Sequence, residues 1–307
     1  MSKKKDTGAT PPFDPRSMEK MMRDMTKLLE EKQFGTIEEA NAFLEQFKGM
    51  PIPEMPHDDD PLSQAQDLIY QAYDAPSRAQ AVQLARKALE ISPDCADAYV
   101  VLAEAETTSL KKARDYYQKG VEAGERALGP KMFKKNAGHF WGIMETRPYM
   151  RARLGLAITL WGLDEEEAAI EHFVDMLRLN PMDNQGIRYI LADALLEVDA
   201  DDALVALMEQ YPDDASASWQ YNRALVLFRQ HGDDEEANTA LDAAIEYNPH
   251  VPGFLLGKKK LPRELPAYHG FGDENEAVEY AIDGLANWRN TYGAIRWLRD
   301  HTAGHRK

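Results

Sequence analysis

Arginine is the residue type best placed to do chemistry in this sequence. Arg147, Arg151, Arg153, Arg188, Arg223 and Arg229, together with Asn184 and Asn222, recur through the middle of a chain whose net charge is −16. A guanidinium group makes bidentate hydrogen bonds to a carboxylate and also stacks on aromatic rings. Set beside Trp161 and Trp219, these side chains would hold an acidic peptide segment or a C-terminal carboxylate. Pairing with the acidic turns of neighbouring segments is the alternative, and the sequence leaves both open. Catalytic signatures are missing: there is no G-x-x-x-x-G-K-[ST], no dinucleotide fingerprint, no H-E-x-x-H and no nucleophile elbow. His301 and His305 have the i, i+4 spacing of one face of a metal site, but Gly304 weakens a helix there. No catalytic residue, metal or cofactor is expected.

Composition narrows the partners. Against 36 Lys and Arg stand 52 Asp and Glu in 307 residues, so the surface lacks the positive field that nucleic acid and anionic membranes require. Lys258 to Lys260 is too short a basic run to change that. A hydrophobic content of 44% suits a folded protein with a substantial core. The one cysteine, Cys95, cannot form an internal disulfide, which points to a reducing, cytoplasmic setting. The longest stretch free of Asp, Glu, Lys and Arg runs only from Tyr247 to Gly257, well short of the about 18 apolar residues of a membrane span. Residues 1–16, basic and then rich in Pro and Asp, read as a disordered tail rather than a signal peptide.

Helices must position the arginines. Pro93, Pro181, Pro212 and Pro249 each close a segment in similar company, and Pro181 and Pro249 lie 68 residues apart, two periods of the about 34-residue tetratricopeptide repeat. A second recurring pattern, G-[TD]-x-x-E-A or its L-D variant, marks helix starts at Thr36, Asp164, Asp233 and Asp273. At each start the cap residue would accept from an orphan N–H while Glu39, Glu167, Glu236 or Glu276 reaches back. Between these marks the apolar period is helical and no strand pattern emerges. The expected fold is all-α, a right-handed superhelical solenoid of tetratricopeptide-like hairpins. Residues 17–61 would hold two helices, the first with a stripe of Met18, Met21, Met22 and Met25, and a Pro-rich linker. The repeat array would run over 62–249 with an insertion near 120–139, and 250–307 would form a Pro-rich segment and capping helices. Groove-lining positions, counted from the closing prolines, fall on Arg151, Leu154, Ile158 and Trp161, then Gln185, Arg188, Ala192 and Leu195, then Trp219, Asn222, Val226 and Arg229.

The run Asn248 to Pro266, beginning N-P-H-V-P-G-F-L-L-G, is followed by G-D-E-N-E-A from Gly272, then Trp288, Gly293 and Leu298. This segment resembles the C-terminal repeat region of the suppression of tumorigenicity seven family and its bacterial tetratricopeptide relatives. The resemblance extends upstream through Gly138 to Ala157 and Asn180 to Tyr189, covering about residues 138 to 298. It implies helical repeats and an interaction role, with no catalytic residues to carry over.

The function expected is a non-enzymatic scaffold or adaptor that binds a segment of another protein in the concave groove. Arg151, Trp161, Arg188, Trp219, Asn222 and Arg229 would form its binding surface, and the oligomeric state stays open. The alternative is an enzyme or enzyme subunit with a site between residues 131–141 and 251–266. A third reading makes the Met-rich helix an assembly element.

Overall fold

The computed structural model describes residues 14, 16, 18–32, 34–48, 59–264, 266, 268 and 270–304. Most of the expected tail, residues 49–58 of the Pro-rich linker, and His305 lie outside them. The chain divides into two compact units, Met1–Asn184 and Gln185–Lys307. Every regular element among the described residues is helical.

In the first unit, α1 (Met18–Lys32) and α2 (Ile37–Glu45) precede three hairpins, α3 (Pro61–Tyr73) with α4 (Arg78–Ile91), α5 (Ala96–Glu106) with α6 (Leu110–Asn136), and α7 (Arg147–Trp161) with α8 (Glu166–Leu179). The first helices α3, α5 and α7 lie side by side as one layer, and each second helix packs on its own hairpin and, for α4 and α6, on the next. Small side chains let the helices approach: the first core cluster is largely Ala65, Ala72, Ala85, Ala88 and Ala98, filled out by Ile69, Val101 and Leu102. Full burial of one such aliphatic side chain is worth about 1.5–3 kcal/mol.

In the second unit, α9 (Ile187–Glu197) pairs with α10 (Asp201–Gln210) and α11 (Ala217–His231) with α12 (Glu235–Tyr247). After these come the short α13 (Val251–Leu255), α14 (Glu274–Asn290) and α15 (Ala294–Gly304). Here α9, α11 and α14 form the layer.

The prolines stop helices as expected. Helices α4, α8, α10 and α12 each end two residues before one, because the residue preceding proline is driven out of the α region. Ser92 sits at φ −141°, ψ 113° and Asn248 at φ −135°, ψ 91°.

The capping register holds in two of four places. Thr36 accepts from Glu39 N (3.2 Å) and Asp273 from Glu276 N (2.8 Å). The returning Glu39 and Glu276 carboxylates take the N–H of Gly35 and Gly272, one residue before the cap. At α12 the cap is Asp234, which accepts from Ala237 N (2.8 Å), while Asp233 accepts from Asn238 Nδ2. Asp164 takes a left-handed φ of 60° and leaves α8 without a side-chain cap.

The region read as an insertion is a lengthened second helix. Helix α6 runs through Gly120 and Gly124 and kinks at Gly129, whose φ of 66° precedes Pro130. A Cβ at position 124 would stand 2.8 Å from that of Tyr149, so glycine there permits close packing of α6 on α7 rather than a break. Two 3-10 turns, Phe140–Gly142 and Met144–Thr146, then lead into α7.

Candidate functional site

The layer of α3, α5 and α7 carries charges where a packing face would be apolar, and α1 lies across them. On α7, Arg151 grips Asp97 of α5 bidentately, Nε to Oδ1 at 2.9 Å and Nη2 to Oδ2 at 2.6 Å. Its remaining Nη1 donates to Glu19 of α1 at 2.9 Å, and Arg147 Nη1 donates to the same oxygen at 3.2 Å. Asp97 is fully buried and also accepts from Gln66 Nε2 at 2.8 Å. Burial opposes the Arg151 charge, but Asp97 and Glu19 outweigh it and hold the guanidinium above its ordinary range.

Two further contacts seat α1 and its approach. Arg23 pairs with Asp67 of α3 and stands 5.2 Å from the centre of the Tyr70 ring. Arg16 donates to both oxygens of Glu104 of α5 at 3.1 Å and lies 4.2 Å over the Tyr73 ring. Burial pushes the Tyr73 hydroxyl pKa well up, so it remains a protonated donor. Among the described residues that hydroxyl has no hydrogen-bond partner, nor does the buried Nε of Arg23. The helix sits with its charges inward: Glu19 and Asp24 are buried, while Met18, Met21 and Met22 remain 42%, 42% and 43% exposed. The N-terminal part of the methionine stripe is therefore exposed, while Met25 is half-buried.

In the second unit the expected binding residues bond to one another's surroundings. Arg188 donates from Nε to Asp214 at 2.7 Å and lies 4.3 and 5.2 Å over the rings of Tyr189 and Tyr211. Burial alone would raise the Asp214 pKa. Hydrogen bonds from Ser216, Tyr189 and Arg188 outweigh it and hold the carboxyl below its ordinary value. Trp219 is buried between the same two tyrosines, edge-on to both. Arg229 caps the α9 end through Leu196 O (2.8 Å) and pairs with Asp199 and Asp201.

Asn222 is wholly buried within a chain of hydrogen bonds that crosses the layer. Its Nδ2 donates to Asp193 of α9 (3.0 Å), its Oδ1 accepts from Tyr280 of α14 (3.0 Å), and Tyr280 accepts from Trp288 Nε1 (2.7 Å). Burial, with Asp283 and Glu197 adding like charge, pushes the Asp193 carboxyl up to about 7, although the Asn222 hydrogen bond pulls the other way.

Of the six expected binding residues, then, Arg151 belongs to the first unit's charged layer and Trp161 is half-buried at the end of α7. Arg188, Trp219, Asn222 and Arg229 are engaged inside the second unit. The sequence reading passed over Glu19, Asp67, Asp97 and Glu104, and named Arg147 without placing it in the groove. The signal existed: the offset that places Gln185 after Pro181 places Asp97 after Pro93.

For the catalytic alternative, residues 131–141 belong to the first unit and 251–266 to the second, with Leu265 outside the described residues. Cys95 is buried, and burial together with the Asp97 charge raises its thiol to about 12, far from a reactive thiolate. His301 Nε2 lies 2.6 Å from Asp242. Among the described residues no three His, Cys, Asp or Glu converge as a metal site, and no helix is long and apolar enough to cross a membrane.

The run from Asn248 that suggested a family resemblance has a structural centre in Asn248 itself. Its Nδ2 donates to Asp273 O (2.9 Å) and Glu276 Oε2 (3.0 Å), and its carbonyl accepts from Tyr221 (2.8 Å). Glu276 also accepts from Ala217 N (2.9 Å). A family model described as ST7 protein matches residues 55–302.

The chain belongs to the ST7 protein family.

Two of its relatives are suppressor of tumorigenicity 7 protein of Macaca fascicularis, 29% identical over 236 residues, and the suppressor of tumorigenicity 7 protein-like of Gallus gallus, 29% identical over 265. These alignments cover 68% and 78% of this chain but 43% and 47% of the relatives, so the chain spans less than half of their length. A solved structure, that of YrrB, described as a TPR protein with an unusual peptide-binding site, is similar at TM-score 0.42 and 21% identity, over 67% of this chain and 91% of YrrB. The resemblance over 138–298 is thus borne out, and the ST7 match begins well before it. In this ST7 family member the matched run from Asn248 to Glu276 holds helices together.

Proposed function

We propose that this ST7 family chain is a non-enzymatic interaction scaffold in which the layer of α3, α5 and α7 takes up a helical segment of another protein. An acidic side chain of that segment would be held between Arg147 and Arg151. One observation carries the reading: a helix belonging to no hairpin already lies on this layer, with Glu19 bonded to both arginines. Two guanidinium groups converging on one carboxylate form a strong, directional seat, and such contacts fix the register of a bound segment. The acid-binding role expected of Arg188 and Asn222 moves to Arg147 and Arg151, because Arg188 is paired with Asp214 and Asn222 is bonded to Asp193 and Tyr280.

The experiment is affinity capture from a reducing extract on the immobilised full-length chain and on its Arg147→Gln variant, read by mass spectrometry. Arg147 is chosen because Arg151 also neutralises buried Asp97. The scaffold reading expects a defined protein retained by the wild-type chain and depleted by the variant, with retention falling as salt rises. Equal retention by both chains would contradict it.

A further inference from the structure

We infer that α1 is a stand-in held in cis, and that the α3, α5 and α7 layer exchanges it for a helix of another protein presenting a carboxylate and, one turn later on the same side, a guanidinium. The inference rests on the scaffold reading and adds the partner's chemistry. Glu19 and Arg23 stand at i and i+4, on one face of α1. The receiving surface is complementary in the same order: Arg147 and Arg151 of α7 take the carboxylate, and Asp67 with the Tyr70 ring takes the guanidinium.

Three features make α1 a replaceable occupant. Glu19 and Arg23 attach it to the layer by ionic and cation–π contacts, Met18, Met21 and Met22 are exposed, and Met25, Leu28 and Leu29 are only half-buried, so no fully buried apolar side chain pins it. The seat is imperfectly matched: the Tyr73 hydroxyl and Arg23 Nε are buried without a hydrogen-bond partner among the described residues. Each such group forfeits part of what a better-fitting segment would recover, for example one whose carbonyl or carboxylate reaches Tyr73. The chain beyond α1 adds little hold, because α2 buries none of its residues. An occupant tethered in cis but poorly satisfied raises the threshold for a partner without closing the site.

A fluorescent peptide spanning residues 14–32 serves as the incoming helix, titrated by anisotropy into the full chain and into its Glu19→Gln, Arg23→Gln double variant. The double variant frees the seat, so the peptide should bind it about tenfold or more tightly than the wild-type chain, the gain expected when a competing cis ligand is released. Arg23→Gln alone, which breaks only the Asp67 contact, should give an intermediate gain and guards against misfolding of the double variant. The peptide carrying Glu19→Gln should lose the gain. Equal affinity for wild-type and variant chains, or no binding to either, overturns the cis-ligand inference. Capture that depends on Arg147 tests the scaffold reading separately. Concentration-dependent dimers of the wild-type chain in sedimentation, lost in the double variant, would make the occupant a second copy's α1, overturning a partner of another kind.

Discussion

The two units build the same layer of first helices and use its polar residues in opposite ways. In the first, Arg147, Arg151, Asp67 and Glu104 reach outward to a helix that belongs to no hairpin and to the residues leading into it. In the second, Asp193, Asn222, Tyr280 and Trp288 reach one another, and Arg188 and Arg229 are tied to Asp214, Asp199 and Asp201. A buried polar group at an equivalent repeat position can therefore be a seat or a rivet. What decides is whether its partner lies within the hairpins. Loss of a rivet should be felt through the fold, whereas loss of a seat contact should be felt mainly by the occupant.

The largest effect expected is from Arg151→Ala, which belongs to both classes because the side chain serves Glu19 and also neutralises Asp97. Leaving Asp97 buried and uncompensated should cost about 3–5 kcal/mol in chemical denaturation. A loss below about 1 kcal/mol would show that Asp97 escapes to water and that the pair is not a buried one.

Asn222→Ala comes next. It strips partners from Asp193 and Tyr280 together, and should cost about 2–4 kcal/mol by denaturation. If the variant is nearly as stable as the wild type, the rivet description of the second unit is wrong, and the position returns to being a candidate binding residue.

The Asp193 carboxyl supplies a pH test of the same rivet. Its folded pKa of about 7 lies above its ordinary value of 3.8, so the folded chain retains a proton that the unfolded chain releases between these pH values. The stabilisation is full at the acidic end and is lost as pH rises toward 7. Asp193→Asn keeps an oxygen acceptor for Asn222 but cannot ionise. Its thermal midpoint should match that of the wild type near pH 4 and exceed it above pH 7. A gap that stays constant with pH would contradict the burial of this group.

Most of the fold was legible because helix ends are written locally. Proline closes α4, α8, α10 and α12 through its effect on the preceding residue, and Asp or Thr followed by Glu marks starts at α2 and α14. Local reading failed where two neighbours had the same chemistry. Asp233 and Asp234 could both cap α12, and only the backbone shows that Asp234 does. The site was less legible, because each arginine's partner is distant in sequence: Arg151 finds Asp97 and Glu19, and Arg188 finds Asp214. Counting positions from Pro181 pointed to the right layer, yet it could not tell a seat from a rivet. The methionines of α1 were illegible for a related reason. An apolar stripe normally faces inward, but here Glu19 and Arg23 have partners on the layer and Met18, Met21 and Met22 are left exposed.

The smallest effect follows from the corrected cap. Asp234→Ala should cost about 1 kcal/mol, and Asp233→Ala only a few tenths, in urea denaturation. The reverse order would restore the register read from the sequence.

Hydrogen–deuterium exchange of α1 tests the central claim most directly, comparing the full chain with its Glu19→Gln, Arg23→Gln variant by mass spectrometry of proteolytic fragments. A short isolated helix is marginal in water, so α1 owes its protection to its seat. The account predicts that α1 amides in the variant exchange nearly as fast as in a free peptide, while α3 to α8 keep their protection. Unchanged protection of α1, or loss that spreads through α3 to α8, would show that α1 is an integral part of the first unit rather than the occupant of a binding surface.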